Sequence, residues 1–144
     1  MFLRKLHCAW VCVLAFGTAN AAGAAELAVV VSARTPVMVL HTDQVAEIFL
    51  AEANRFPDGR EAVPIDQQVG TAVRDAFYEK VVGRSPAMMK AYWTKLFFTG
   101  RGVPPQEAAG DAAVKKLVAE NPGMIGYIDR AALDATVRAV LLVH

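Results

Sequence analysis

The chain has 144 residues, enough for one domain with one core; 55% are hydrophobic and only 20% are charged. Its 15 Lys and Arg stand against 14 Asp and Glu, a balance with no electrostatic footprint for nucleic acid or an anionic membrane. Both cysteines, Cys8 and Cys12, lie near the N-terminus, so the remainder can form no disulfide, thiolate nucleophile or Cys-ligated metal site.

The first residues carry the parts of a secretion signal. Arg4 and Lys5 form a positive start, Ala9 to Phe16 an apolar core, and Ala19-Asn20-Ala21, Ala22-Gly23-Ala24 and Gly23-Ala24-Ala25 small-x-small cleavage sites. A membrane-spanning helix needs about 20 apolar residues, and this core is close to half that. Residues 1–25 are therefore expected to be a cleaved signal peptide, and residues 26–144 one domain working in the periplasm. Cleavage would remove two basic residues and no acidic one, taking the formal charge from +1 to −1.

Glu26 to Ser32 is a β-branched run that reads as a buried first strand. Ala33 to Leu40 is irregular, broken by Pro36. Thr42 is a suitable N-cap for a helix carrying Val45, Ile48 and Phe49 on one side and running to about Ala51. Phe56-Pro57-Asp58-Gly59 is a turn signal. Ala62 to Asp66 is a short strand, with Pro64 suiting an edge or a strand start. Gly70-Thr71 opens a helix with Val73, Phe77 and Val81 on one stripe, closed by Gly83. Ser85-Pro86 starts another, with Ser as N-cap and Pro where its missing N–H costs nothing. Met89, Tyr92, Trp93, Leu96 and Phe97 form its apolar face and are expected in the core; the alternative is a ligand platform made by Tyr92, Trp93, Phe97 and Phe98. A loop from Thr99 to Pro105 follows. Asp111 is expected to cap a helix with Val114, Leu117 and Val118 inward, stopped at Asn121-Pro122-Gly123. Met124 to Ile128 is a strand, Asp129 to Leu133 one helical turn, and Val137 to Val143 a last strand. Strands alternating with helices define an α/β class with a small mixed, mostly parallel sheet and flanking helices.

The candidate site is the turn Asp66-Gln67-Gln68-Val69-Gly70-Thr71, which leaves a strand and enters a helix. The first N–H groups of a helix lack internal partners and carry the positive end of its dipole, so this corner suits an anion. Gly70 lets a ligand approach the backbone, Thr71 adds a hydroxyl, and Arg74 follows one turn later. The same residues also describe an ordinary helix start, with Arg74 paired to Asp75 or Glu79. The Thr99 to Pro105 loop, with Gly100 and Gly102, reads equally as a binding loop and as a stiff connection. Enzyme signatures are absent: there is no G-x-S-x-G elbow, no Walker loop and no H-E-x-x-H motif, and His41 and His144 sit at no metal-ligand spacing. No enzyme activity, cofactor or metal is expected.

Several runs together resemble the small substrate-binding-like proteins of phosphate transporters: Gln44 to Leu50, Phe56 to Gly59, Arg74 to Tyr78, Tyr92 to Gly100, and Asn121 to Ile128. The resemblance spans nearly all of residues 26–144. It implies one lobe of a type II periplasmic binding protein, and a ligand site that takes Ser32 from the first loop, Gln67, Gly70, Thr71 and Arg74 from the corner, and Thr99 and Gly100 from the later loop. The larger proteins place Ser-Gly-Thr at that helix start, where this chain has Val69-Gly70-Thr71. The implied function is an extracytoplasmic solute-binding module for phosphate or another small oxyanion, working with a membrane transporter or sensor and with a homodimer as an assembly. The alternative is a ligand-free protein-interaction or sensory-accessory module on the same fold.

Overall fold

A computed structural model of the protein describes residues 26–144; the expected signal segment, residues 1–25, lies outside the described residues. Its elements in chain order are β1 (Leu27–Ser32), α1 (Thr42–Phe49), β2 (Val63–Gln67) and α2 (Ala72–Phe77). A π-helical turn (Tyr78–Val82) continues α2 and leads to α3 (Pro86–Phe98), β3 (Gln106–Ala108) and α4 (Asp111–Glu120). Then come β4 (Met124–Asp129), a 3₁₀ turn (Arg130–Ala132) and β5 (Val137–Val143).

The five strands form one mixed sheet in the order β3-β2-β4-β1-β5. β2 runs parallel to β3 and β4, whereas β1 runs antiparallel to β4 and β5. β1 is continuous in apolar residues because both its faces are covered. Leu27, Val29 and Val31 point into a core shared with Phe49, Phe77, Tyr78 and Trp93. Ala28 and Val30 point into a second core made with Val114 and Val118 of α4. Gly126 of β4 lets α4 sit close: a Cβ there would lie 2.6 Å from Val114 Cγ1.

Local signals act largely as the residue types require. Ser85 accepts the Met88 N–H at 3.2 Å as N-cap of α3, with Pro86 at the first helical position. Gly83 ends the π turn in the left-handed conformation, at φ 73°, which glycine tolerates without Cβ strain. The Phe56 to Gly59 turn closes through Gly59 N–H to Phe56 O at 2.9 Å. Arg138 of β5 fixes the irregular segment after β1 by donating to the carbonyls of Thr35, Val37 and Ala33.

Four local expectations are corrected. His41, not Thr42, is the capping residue of α1; its N–H donates to Gln44 Oε1 at 2.9 Å, so the helix start is closed by a side chain reaching back. Gly110, not Asp111, precedes α4, and Asp111 is its first residue. The loop after α3 ends in an additional strand, β3, only three residues long and too short to show a periodic pattern. Phe97 is exposed rather than buried, at 62%, beside Phe98 at 82%. The inward stripe of α3 is Met89 and Trp93; the last turn stays uncovered, and the two phenyl rings pack edge to face on each other at 5.6 Å.

Candidate functional site

The site forms where β2 and β3 end side by side. Because they are parallel and in register, with Asp66 opposite Glu107 and Gln67 opposite Ala108, their carboxyl ends open at the same edge. In open α/β sheets that is where ligands bind. β2 turns there into α2, while β3 turns into α4.

Asp66 is buried at this end, 2% exposed, and its carboxylate is surrounded by donors. Oδ1 accepts the Gln67 N–H at 2.9 Å and the Tyr127 hydroxyl. Oδ2 accepts the Tyr78 hydroxyl at 2.7 Å and Arg74 Nε at 3.3 Å. A buried charge needs such pairing, since its desolvation costs several kcal/mol. Burial, followed by the Asp66 charge, pushes both tyrosine hydroxyls far above their ordinary range, so they stay protonated as donors. The π turn presents Tyr78 to Asp66, and the Arg74 guanidinium lies 4.8 Å over the Tyr78 ring. Phe77 stacks flat on Tyr127 at 3.9 Å, fixing the second hydroxyl.

Arg74 spends only its Nε on Asp66. Its Nη1 and Nη2 have no hydrogen-bond partner among the described residues, although the side chain is 7% exposed. The residue lines a cavity of about 550 Å³ together with Asp66, Val69, Pro86, Ala87, Lys90, Trp93, Thr94, Pro104 and Glu107. A planar fork with free donors on a cavity wall is suited to an oxyanion.

The other expected site residues are placed differently. Gln67 is buried beside the cavity and not on its wall; its Nε2 donates to Asp111 Oδ1 at 2.8 Å and Tyr127 O at 3.1 Å, tying β2 to α4 and β4. Gly70 takes φ +88° in the turn. Thr71 precedes α2 and turns its hydroxyl back onto Gln68 O at 2.8 Å. Ser32 is buried at the end of β1, donating to Ala119 O at 3.1 Å at the end of α4. Thr99 donates to Lys95 O at 2.7 Å in its own helix, and Gly100 follows at φ +68°. The cavity thus brings Asp66, Val69 and Arg74 of the expected corner together with Trp93 and with two residues the sequence reading did not select, Lys90 and Glu107. The signals within reach were a lone carboxylate ending an apolar strand and the four-residue spacing of Arg74 and Tyr78 on one helix face. Among the described residues no group of three or more His, Cys, Asp or Glu is placed to hold a metal ion, and no described helix is long and apolar enough to cross a membrane.

The fold and this corner define a class: an α/β domain with the periplasmic binding protein fold, in a size that fits a single lobe. More narrowly, the chain is similar to substrate-binding proteins of phosphate transporters. One solved structure, described as a phosphate ABC transporter substrate-binding protein with bound phosphate from Clostridium perfringens, matches 81% of this chain with TM-score 0.64 and 24% identity. An ABC-type phosphate transport receptor from Vibrio cholerae matches the same share with TM-score 0.63 and 19% identity. PstS from Borrelia burgdorferi does so with TM-score 0.57 and 12% identity. The chain spans less than half the length of each, at 45%, 46% and 47%. No family model and no curated protein sequence matches the chain.

Proposed function

We propose that this protein is an extracytoplasmic solute-binding module for a small oxyanion, with phosphate as its simplest ligand, and performs no chemistry on it. The observation that carries this reading is the Arg74 guanidinium: buried, held by Asp66 through Nε, with Nη1 and Nη2 unpartnered among the described residues, in a residue that lines the cavity. Lys90 adds a second cation on that wall. The fold shared with phosphate-transport proteins supports the same reading, as does the signal-like N-terminus for delivery to the periplasm. A membrane transporter or sensor is the proposed partner, and a homodimer the proposed assembly.

The cavity is lined in part by exposed side chains, Lys90 and Glu107 among them, so a ligand there stays partly in water. Two charge-assisted hydrogen bonds are worth about 1.5–3 kcal/mol each, and association takes back several kcal/mol or more. What remains falls short of about −4 kcal/mol, so phosphate is expected to bind at about 1 mM or more weakly. Titration calorimetry tests it. Lys90→Ala, at an exposed position, should weaken phosphate binding and flatten its salt dependence. Arg74→Lys keeps a charge for Asp66 but loses the fork, and should weaken it further. Equal binding by the parent and both variants would place the site elsewhere.

A second reading, a ligand-free interaction module, is favoured by Phe97 and Phe98, exposed side by side at the end of α3. A stable complex with a membrane protein, lost in Phe98→Ser and formed with no bound anion, would establish it.

A further inference from the structure

We infer that the preferred ligand of this cavity is an organic monocarboxylate with an apolar body, its head on Arg74 and its body along Trp93, Pro86 and Pro104. The inference rests on the oxyanion reading above and concerns which oxyanion the site selects. Size is the first argument. Inorganic phosphate needs the room of a few waters, each about 30 Å³ in the liquid. The cavity offers about 550 Å³, within the roughly 300–1,000 Å³ of pockets that enclose drug-sized ligands. Phosphate on Arg74 would leave most of that wall facing water.

The wall itself is the second argument. Val69, Pro86, Ala87, Trp93 and Pro104 supply its apolar surface, and the charged groups collect around Arg74, Asp66, Lys90 and Glu107. Covering such a surface with apolar ligand atoms takes it out of water, which favours binding in proportion to the area covered. Val69 matters here: it is 69% exposed and borders the cavity, so the corner offers an isopropyl group to a ligand.

Charge is the third. The two cations of the lining, Arg74 and Lys90, are matched by two carboxylates, Asp66 and Glu107. A single negative charge can take the remaining donors of Arg74, whose charge is already matched by Asp66. A second negative charge finds Glu107 beside it, and like charges at short range are unfavourable. A carboxylate therefore fits better than a phosphate dianion, and its planar two-oxygen edge matches the guanidinium fork.

The test is titration calorimetry on the full chain with four probes: 3-phenylpropionate, 3-phenylpropionamide, phenyl phosphate and inorganic phosphate. The expected result is that 3-phenylpropionate binds at least tenfold tighter than each of the other three. Ala87→Leu, which adds bulk at an exposed helix position on the cavity wall, should weaken the acid by tenfold or more. Inorganic phosphate binding as tightly as the acid would overturn the inference and leave the oxyanion reading intact. Phenyl phosphate binding as tightly would overturn the single-charge preference, and with it the inference. Amide binding equal to acid, or no anion binding at all, would overturn both readings.

Discussion

Replacing Asp66 by Asn removes the charge at the centre of the site while keeping its shape. In the parent, the carboxylate accepts from four donors: the Gln67 N–H and Tyr127 hydroxyl on one oxygen, Tyr78 and Arg74 on the other. An amide has one acceptor oxygen and one NH₂ group. The two tyrosine hydroxyls can rotate and become acceptors, but the Gln67 N–H and Arg74 Nε–H cannot. If the amide oxygen serves Gln67, its NH₂ faces the Arg74 donor, and a buried guanidinium is left without its counter-charge. Breaking a buried pair from one side costs about 3–5 kcal/mol. For a domain with an ordinary stability of about 5–15 kcal/mol, that is a large share. Near 4 °C per kcal/mol, the scale between small and mid-sized domains, the melting temperature should fall by roughly 12–20 °C. The same change raises the positive potential at the cavity, so added phosphate should recover more stability in Asp66→Asn than in the parent. Differential scanning calorimetry in chloride and in phosphate, at matched ionic strength, measures both effects. A variant as stable as the parent would refute the account of Asp66 as the counter-charge of Arg74. A variant whose loss phosphate does not reduce more than in the parent would refute the link between that pair and anion binding.

Three further outcomes follow from the packing and from the tyrosines. Gly126→Ala places a methyl 2.6 Å from Val114 Cγ1 and should cost about 1–3 kcal/mol as overpacking; denaturant melts should show much of that loss restored in the double variant with Val114→Ala. Trp93→Ala, at a residue 6% exposed, should cost about 3–5 kcal/mol, whereas Phe97→Ala, at 62% exposed, should cost well under 1 kcal/mol; equal melting shifts for the two would contradict the burial of Trp93. Tyr78 and Tyr127 are held neutral in the fold by burial and by Asp66, while the unfolded chain ionises its tyrosines near pH 10. Their raised values thus add stability that is fully present below about pH 10 and is lost as the pH rises above it, by about 1.4 kcal/mol per pH unit for each. Tyr127→Phe should flatten that alkaline decline by about one such increment, read from urea midpoints between pH 9 and 11.

Elements with a strong local cause were legible in the residues. The β-branched run of β1, the Ser85-Pro86 start of α3, the Gly83 stop and the last strand from Val137 are set by side-chain shape, capping chemistry and backbone freedom within a few residues. So was the α/β class, because strands buried on both faces need helices to cover them. The corner after β2 and its Arg74 were singled out from the residues, and both border the cavity proposed to take an anion. The sequence did not disclose the partner of Arg74. Asp75 and Glu79 are nearer along the chain, yet the guanidinium turns to Asp66, because the end of β2 brings a buried carboxylate to 3.3 Å from its Nε. The same folding consumed the polar groups of Ser32, Gln67, Thr71 and Thr99 in satisfying nearby backbone and side-chain donors and acceptors. It also stranded Phe97 in water although its spacing matched the core stripe, since helical periodicity records which side chains share a face and not how far the neighbouring sheet extends beneath them. The cavity itself is a product of register: β3, three residues long and without a pattern of its own, sets Glu107 beside Asp66 only because it pairs in parallel with β2.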